Sequence, residues 1–162
     1  MPEAPPGQSP SAESGPVVAL GFDYGLRRIG VAAGDTLTRG ARPLGVIAAS
    51  AGTPDWDALG RYLRDWDPCV LVVGVPYNMD GSPGAVTPAA LEFAAELRRR
   101  FRCKVVTVDE RLSSREAEDI LRRQRASGER VRRVRHGDVD AAAASVLLEQ
   151  WLRESSRELR KE

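Results

Sequence analysis

The period of the hydrophobic pattern changes several times along the chain. An apolar run over 17–22 reaches Asp23, turns through Gly25-Leu26-Arg27-Arg28 and leaves as a second run over 29–33. Two apolar runs joined by a glycine-containing turn predict a β-hairpin. The stretch GARPLGVI over 40–47 predicts a short third strand that completes an antiparallel meander. Pro43 marks it as an edge, because proline has no N–H for the ladder. The period then becomes helical. Thr53 reads as an N-cap with Pro54 at the first helical position, Leu59, Tyr62, Leu63 and Trp66 recur as a core-facing stripe, and Asp67-Pro68 ends the helix.

The run CVLVV over 69–73 is apolar without alternation, the pattern of a strand covered on both faces in a parallel sheet. A turn-rich loop over 74–84 follows. A helix from about Thr87 to Phe101 is expected to bury Leu91, Ala94, Ala95 and Leu97, with Arg98, Arg99 and Arg100 at the end where cations suit the helix dipole. KVVTV over 104–108 predicts a fifth strand, which runs into Asp109-Glu110-Arg111. Ser113 and Glu116 form a capping-box pattern for the next helix. A last helix is expected from near Asp138 to Trp151-Leu152. The order β-β-β-α-β-α-β-α-α predicts an α/β fold: a mixed five-stranded sheet, made of a three-strand meander plus two parallel strands, with helices on both faces.

Composition narrows the picture. A chain of 162 residues with 42% hydrophobic residues suits one packed domain. The Pro-, Ser- and Gly-rich residues 1–15 read as a disordered tail that lacks the basic start and apolar core of a signal peptide. Residues 16–155 read as the domain and 156–162 as a charged tail. No run is long enough to span a membrane. Cys69 and Cys103 form no CxxC pair and are expected as buried thiols in a reducing compartment. The formal net charge is only +1, so any nucleic-acid surface must come from local segregation of charge. Such segregation exists: Arg122, Arg123, Arg125, Arg130, Arg132, Arg133 and Arg135 face one acid, Glu129.

Three acids stand where chemistry is placed in α/β sheets. Asp23 ends the first strand, Glu110 follows the fifth, and Asp140 opens the last helix. Sites form at the carboxyl ends of strands, and Asp23 meets Glu110 there if those two strands run parallel and close. Asp23 by itself reads equally as a turn aspartate. Three clustered carboxylates repel unless cations sit between them, and hard oxygen donors suit Mg²⁺ or Mn²⁺. Two such ions about 3.5–4 Å apart can drive hydrolysis of a phosphodiester. The arginine-rich segment supplies phosphate-binding charge.

The stretches GFDYGLRRIGVAAGD, ARPLGVI, VVGVPYNMDGSPG, VDERLSSREAEDIL and VDAAAASVLLEQWL occur in that order and resemble the YqgF/RuvX family of RNase H-like nucleases, from about Val17 to Leu152. The resemblance implies an RNase H-like fold and a bacterial cytoplasmic nuclease, described either as a pre-16S rRNA nuclease acting near the 5′ end or as a Holliday junction resolvase. It carries the family's acidic triad onto Asp23, Glu110 and Asp140. Asp140 is preferred to Asp138 because the family pattern puts the carboxylate directly before a small-residue run, here 141–145. Asp138 then reads as an N-cap or outer group. Of Asp109 and Glu110 only one can face the metals, since neighbours on a strand point to opposite faces.

Other positions keep two readings. Asn78 and Asp80, in a loop that matches the family, read as nucleic-acid contacts or as a structural turn needing Gly81 at positive φ. Arg111 reads as a phosphate contact or an ion pair with Asp109. His136, the single histidine, reads as a surface residue or as a proton-transfer auxiliary. The expected partner is nucleic acid, an RNA precursor ahead of branched DNA, with the protein a monomer or weak homodimer. A non-catalytic RNA-binding assembly factor is the rival class. The Asp23-x-Gly25 hairpin also resembles the phosphate loop of actin-type ATPases, which need two such domains where this chain has room for one.

Overall fold

The computed structural model describes residues 17–110 and 136–161. Along them run β1 (Val18–Asp23), β2 (Arg28–Asp35), β3 (Ala41–Ser50), β4 (Thr53–Pro54), α1 (Trp56–Trp66), β5 (Val70–Val75), α2 (Thr87–Arg100), β6 (Lys104–Asp109) and α3 (His136–Lys161). The strands form one sheet in the order β4-β3-β2-β1-β5-β6. β1, β2 and β3 make the antiparallel meander, and β5 and β6 add in parallel beside β1. No helix among the described residues is long and apolar enough to cross a membrane.

Strand alternation sorts the side chains onto two faces. Leu20 and Phe22 of β1, Ile29 and Val31 of β2, and Leu71 and Val73 of β5 form a core with Leu59 and Leu63 of α1 and Ala90, Phe93, Ala94 and Leu97 of α2. The opposite face, with Ala19, Ala32 and Val72, packs against Ala144, Leu147, Leu148 and Leu152 of α3. Residues such as Phe22 and Leu148 are fully buried, and each contributes about 1.5–3 kcal/mol from removal of apolar surface from water. On the α3 face glycines let the helix close in. A Cβ on Gly21 would lie 3.0 Å from Leu148 Cβ, and one on Gly30 would lie 2.0 Å from the Asp140 carbonyl oxygen. The sheet therefore accepts the backbone of α3 at Asp140 in direct contact.

Several expectations are corrected. Thr53 and Pro54 are strand, not helix start: they pair with Ser50 and Ala49, and Asp55 caps α1 by accepting from Ala58 N at 3.2 Å. The cross-strand pairing holds 53–54 extended, and Asp55 is the first carboxylate placed to accept from the helix amides. Among the described residues the sheet thus has six strands, and β4 pairs with β3 only at Ala49 and Ser50, leaving Pro43 outside that pairing. On α2, Leu91 points outward at 42% exposure, while Ala90 and Phe93 turn inward. Phe93 decides this face, since its ring packs on Phe22, Tyr24 and Trp56. Cys69 is exposed and Cys103 half-buried, because both sit just before a strand begins rather than within it. α3 runs from His136 to Lys161.

Candidate active site

β1 delivers Asp23 to the carboxyl end of the parallel strands, paired with Gly30 on one side and Gly74 on the other. Its neighbour Tyr24 points to the opposite face, is 5% exposed, and donates its hydroxyl to Gly52 O at 2.8 Å. Tyr24 also packs on Phe93. Anchoring Tyr24 in the core leaves Asp23 little freedom but to face α3.

β1 and β6 run parallel but are not neighbours; β5 lies between them. Contact between Asp23 and Glu110 therefore has to pass over β5, and Gly74 makes room. A Cβ on Gly74 would lie 2.8 Å from Glu110 Oε2 and 2.7 Å from Leu147 Cδ2. Glu110 follows β6 with its N–H bonded to Val75 O at 3.2 Å. By strand parity it joins Val106 and Val108 on the α3 face, while Asp109 is of the opposite parity.

The two carboxyls lie within hydrogen-bonding reach of each other. Burial pushes Asp23 well above the ordinary carboxylate range, reinforced by the bond to Glu110 and by the charges of Glu110 and Asp140. Glu110 is also raised, chiefly by burial; the bond to Asp23 opposes this, and the charges of Asp109 and Asp140 add to it. A proton shared by the pair relieves the repulsion of like charges. Glu110 is 9% exposed, and its Oε2 is buried with no hydrogen-bond partner. A buried oxygen without a donor is costly, and a cation is one group that satisfies it.

Asp140 opens onto the same edge from α3, whose backbone there rests on Gly30. Its charge acts on both other acids, yet its Oδ2 accepts from Arg28 Nε at 2.9 Å. Among the described residues no three His, Cys, Asp or Glu side chains are placed to hold one ion together. Asp23 and Glu110 are thus brought together, and Asp140 stands beside them engaged by Arg28.

The loop after β5 is knit internally. Asn78 Nδ2 donates to Ser82 Oγ and Pro83 O at 3.1 and 3.3 Å, and Asp80 Oδ1 accepts from Ser82 N at 2.9 Å. Gly81 has φ of +89°, as a turn of this kind needs. The Asn78 and Asp80 side chains hold the loop's shape, and Met79 is exposed at its tip. Arg111, Arg122, Arg123, Arg125, Arg130, Arg132, Arg133 and Arg135 lie outside the described residues, as does the helix expected after Ser113. His136 and Asp138 fall on the first turn of α3, where only the backbone is described. Sequence reasoning did not single out Gly74, Gly30 or Arg28. Glycine inside the apolar run of β5 was the signal for the first of these.

The mixed sheet with helices on both faces is similar in fold to resolvases of the RuvC type. The chain resembles Thermus thermophilus RuvC in complex with Holliday junction substrate, with a TM-score of 0.52 at 18% identity over 86% of this chain and 96% of that one. It also resembles the Fowlpox virus resolvase in complex with Holliday junction DNA, with a TM-score of 0.51 at 12% identity over 85% and 97%. At those identities the likeness is one of fold. Sequence relatives are closer. Proteins named "Putative pre-16S rRNA nuclease" are 44% identical in Coxiella burnetii (strain RSA 493 / Nine Mile phase I), over 88% of this chain and 96% of the relative. The same name is carried by a relative in Azotobacter vinelandii (strain DJ / ATCC BAA-1303), 46% identical over 87% and 96%. The RuvX family, described as Holliday junction resolvase, matches residues 17–154. The chain belongs to that family of nucleases.

Proposed function

We propose that this chain is a divalent-metal-dependent endonuclease that hydrolyses phosphodiester bonds in structured RNA, with the 5′ region of the pre-16S rRNA as its substrate. The observation that carries the metal-dependent reading is the carboxyl pair Asp23–Glu110, with Glu110 Oε2 buried and lacking a donor. Their oxygen donors fit Mg²⁺ or Mn²⁺, so these two residues would hold the ion, with Asp140 as the third donor. When bound, the ion neutralises charge on the phosphodiester and activates the attacking water. Burial and the neighbouring charges raise both Asp23 and Glu110, so an ion held there would compete with protons for the pair. Gly74 keeps the floor of the site open, and the packed Tyr24 fixes the β1 end against movement. The arginine-rich segment over 122–135 supplies charge for the nucleic-acid backbone. The RNA assignment draws its support from the names of the 44–46% identical relatives. Cleavage of branched DNA is the second reading, favoured by the family's description and the RuvC-like fold.

The test is cleavage by wild type and Asp23→Asn, side by side, on a pre-16S RNA 5′ leader and a four-way DNA junction, each with Mg²⁺, Mn²⁺ or EDTA. Loss of an outer-shell group costs roughly 10–100-fold, so loss of a direct ligand is expected to cost at least ~100-fold. Metal-dependent RNA cutting lost in the variant supports the proposal. Cutting of the junction alone moves the substrate to DNA. Indistinguishable wild type and variant on both substrates overturns the carboxylate mechanism and leaves the RNA-binding assembly factor as the reading.

A further inference from the structure

Arg28 Nε lies 2.9 Å from Asp140 Oδ2, and the two residues are 112 apart in sequence. Packed backbone holds both ends of this pair. Arg28 opens β2 and pairs with Ala48 of β3. The turn before it needs glycine at position 25, where a Cβ would lie 2.6 Å from Arg28 O. The backbone of Asp140 rests on Gly30. Only the two side chains are free to part. The Arg28 side chain is 44% exposed and that of Asp140 26%, so the guanidinium can swing out without disturbing the core. The other acid–arginine pairs described, on α2, join neighbours on one exposed helix face and touch no part of the site.

We propose that Arg28 is a positioning residue that holds Asp140 while the carboxyl cluster carries no divalent cation, and that Arg28 and the cation compete for Asp140. The inference rests on the metal-dependent reading above. Three carboxylates at one edge need positive charge nearby. A guanidinium provides a permanent one, because it does not deprotonate in proteins. While the pair stands, no three acid side chains among the described residues converge on one ion. Binding a cation through all three carboxylates therefore requires the Asp140 carboxylate to move, and Arg28 is the group that holds its Oδ2. By linkage, removing the competitor strengthens cation binding, whereas a residue that merely orients a ligand weakens it when removed.

Mn²⁺ affinity of the full chain, measured by calorimetry for wild type, Arg28→Gln, Arg28→Lys, Asp140→Asn and Arg28→Gln/Asp140→Asn, separates these outcomes. Exposed ion pairs are weak, so Arg28→Gln is expected to bind Mn²⁺ about two- to five-fold more tightly. Arg28→Lys falls between, and the gain vanishes in the Asp140→Asn background. A second readout needs no variant: the Arg28 Nε–H proton resonance of wild type shifts and exchanges faster as Mg²⁺ saturates the protein. Equal or weaker Mn²⁺ binding by a folded Arg28→Gln, or an Arg28 Nε–H resonance untouched by saturating Mg²⁺, overturns the competition and leaves the metal-dependent reading standing. Failure of wild type itself to bind Mn²⁺ overturns both.

Discussion

Gly74→Ala tests the geometry on which the site depends. The added Cβ would meet Glu110 Oε2 at 2.8 Å and Leu147 Cδ2 at 2.7 Å. Both are shorter than carbon contacts tolerate, and both partners are side-chain ends, so each gives way by some tenths of an ångström. Leu147 is 1% exposed and has little room, so its share of the strain reads out as stability. Overpacking a core in this way costs about 1–3 kcal/mol, offset by about 0.5–1 kcal/mol because alanine has less freedom in the unfolded chain than glycine. The net expectation is a loss of about 0.5–2 kcal/mol. For a domain of this size each kcal/mol moves the melting temperature by about 2–4 °C, so thermal unfolding followed by circular dichroism should shift downward by a few degrees. Glu110 yields differently. The Glu110 carboxyl shifts relative to Asp23 by some tenths of an ångström, a fraction of the ~1 Å misplacement that costs roughly 100-fold in rate. The variant is therefore expected to fold, to melt slightly lower, and to lose about three- to ten-fold in metal-dependent cleavage of the RNA leader. Wild-type cleavage by a folded Gly74→Ala would refute the view that Glu110 works by reaching Asp23 over β5.

Three further outcomes follow from the same contacts. Without metal, burial raises Asp23 and Glu110 in the folded chain, so they bind protons more tightly there than in the unfolded chain, where carboxylates titrate at about 4. Stability in EDTA should thus be highest at acid pH with respect to these groups and fall as pH rises through their raised values, while Asp23→Asn should flatten that fall in urea titrations at several pH values. Gly30→Ala drives a Cβ against the Asp140 carbonyl at 2.0 Å, a backbone contact that only movement of α3 can relieve. It should cost at least the ~1–3 kcal/mol of a core overpacking, read by denaturant unfolding, and remove cleavage with it. Cys69 should be alkylated ahead of Cys103 in a timed iodoacetamide reaction read by peptide mass mapping. Cys69 is exposed, whereas burial raises the Cys103 thiol and its Sγ donates to Pro68 O at 3.2 Å.

The local pattern alone determined the meander, the two strands that follow it and the helix that carries Asp140, because period and turn residues act over a few neighbouring positions. It also limited the pair 109–110 to one acid on the face of Asp23, since neighbours on a strand point to opposite faces, and left open which one. What the chain order left open was decided by packing between distant segments. Thr53-Pro54 is a strand because β3 pairs with it, and α2 turns Leu91 out because the Phe93 ring claims the space beside Tyr24 and Trp56. β5 enters between β1 and β6, so Glu110 meets Asp23 only because position 74 has no side chain. Arg28 engages Asp140 across 112 residues of sequence because the hairpin and α3 dock on the same glycines. Burial, close approach and charge pairing are properties of points in space, and the sequence brings those points together only through the completed sheet.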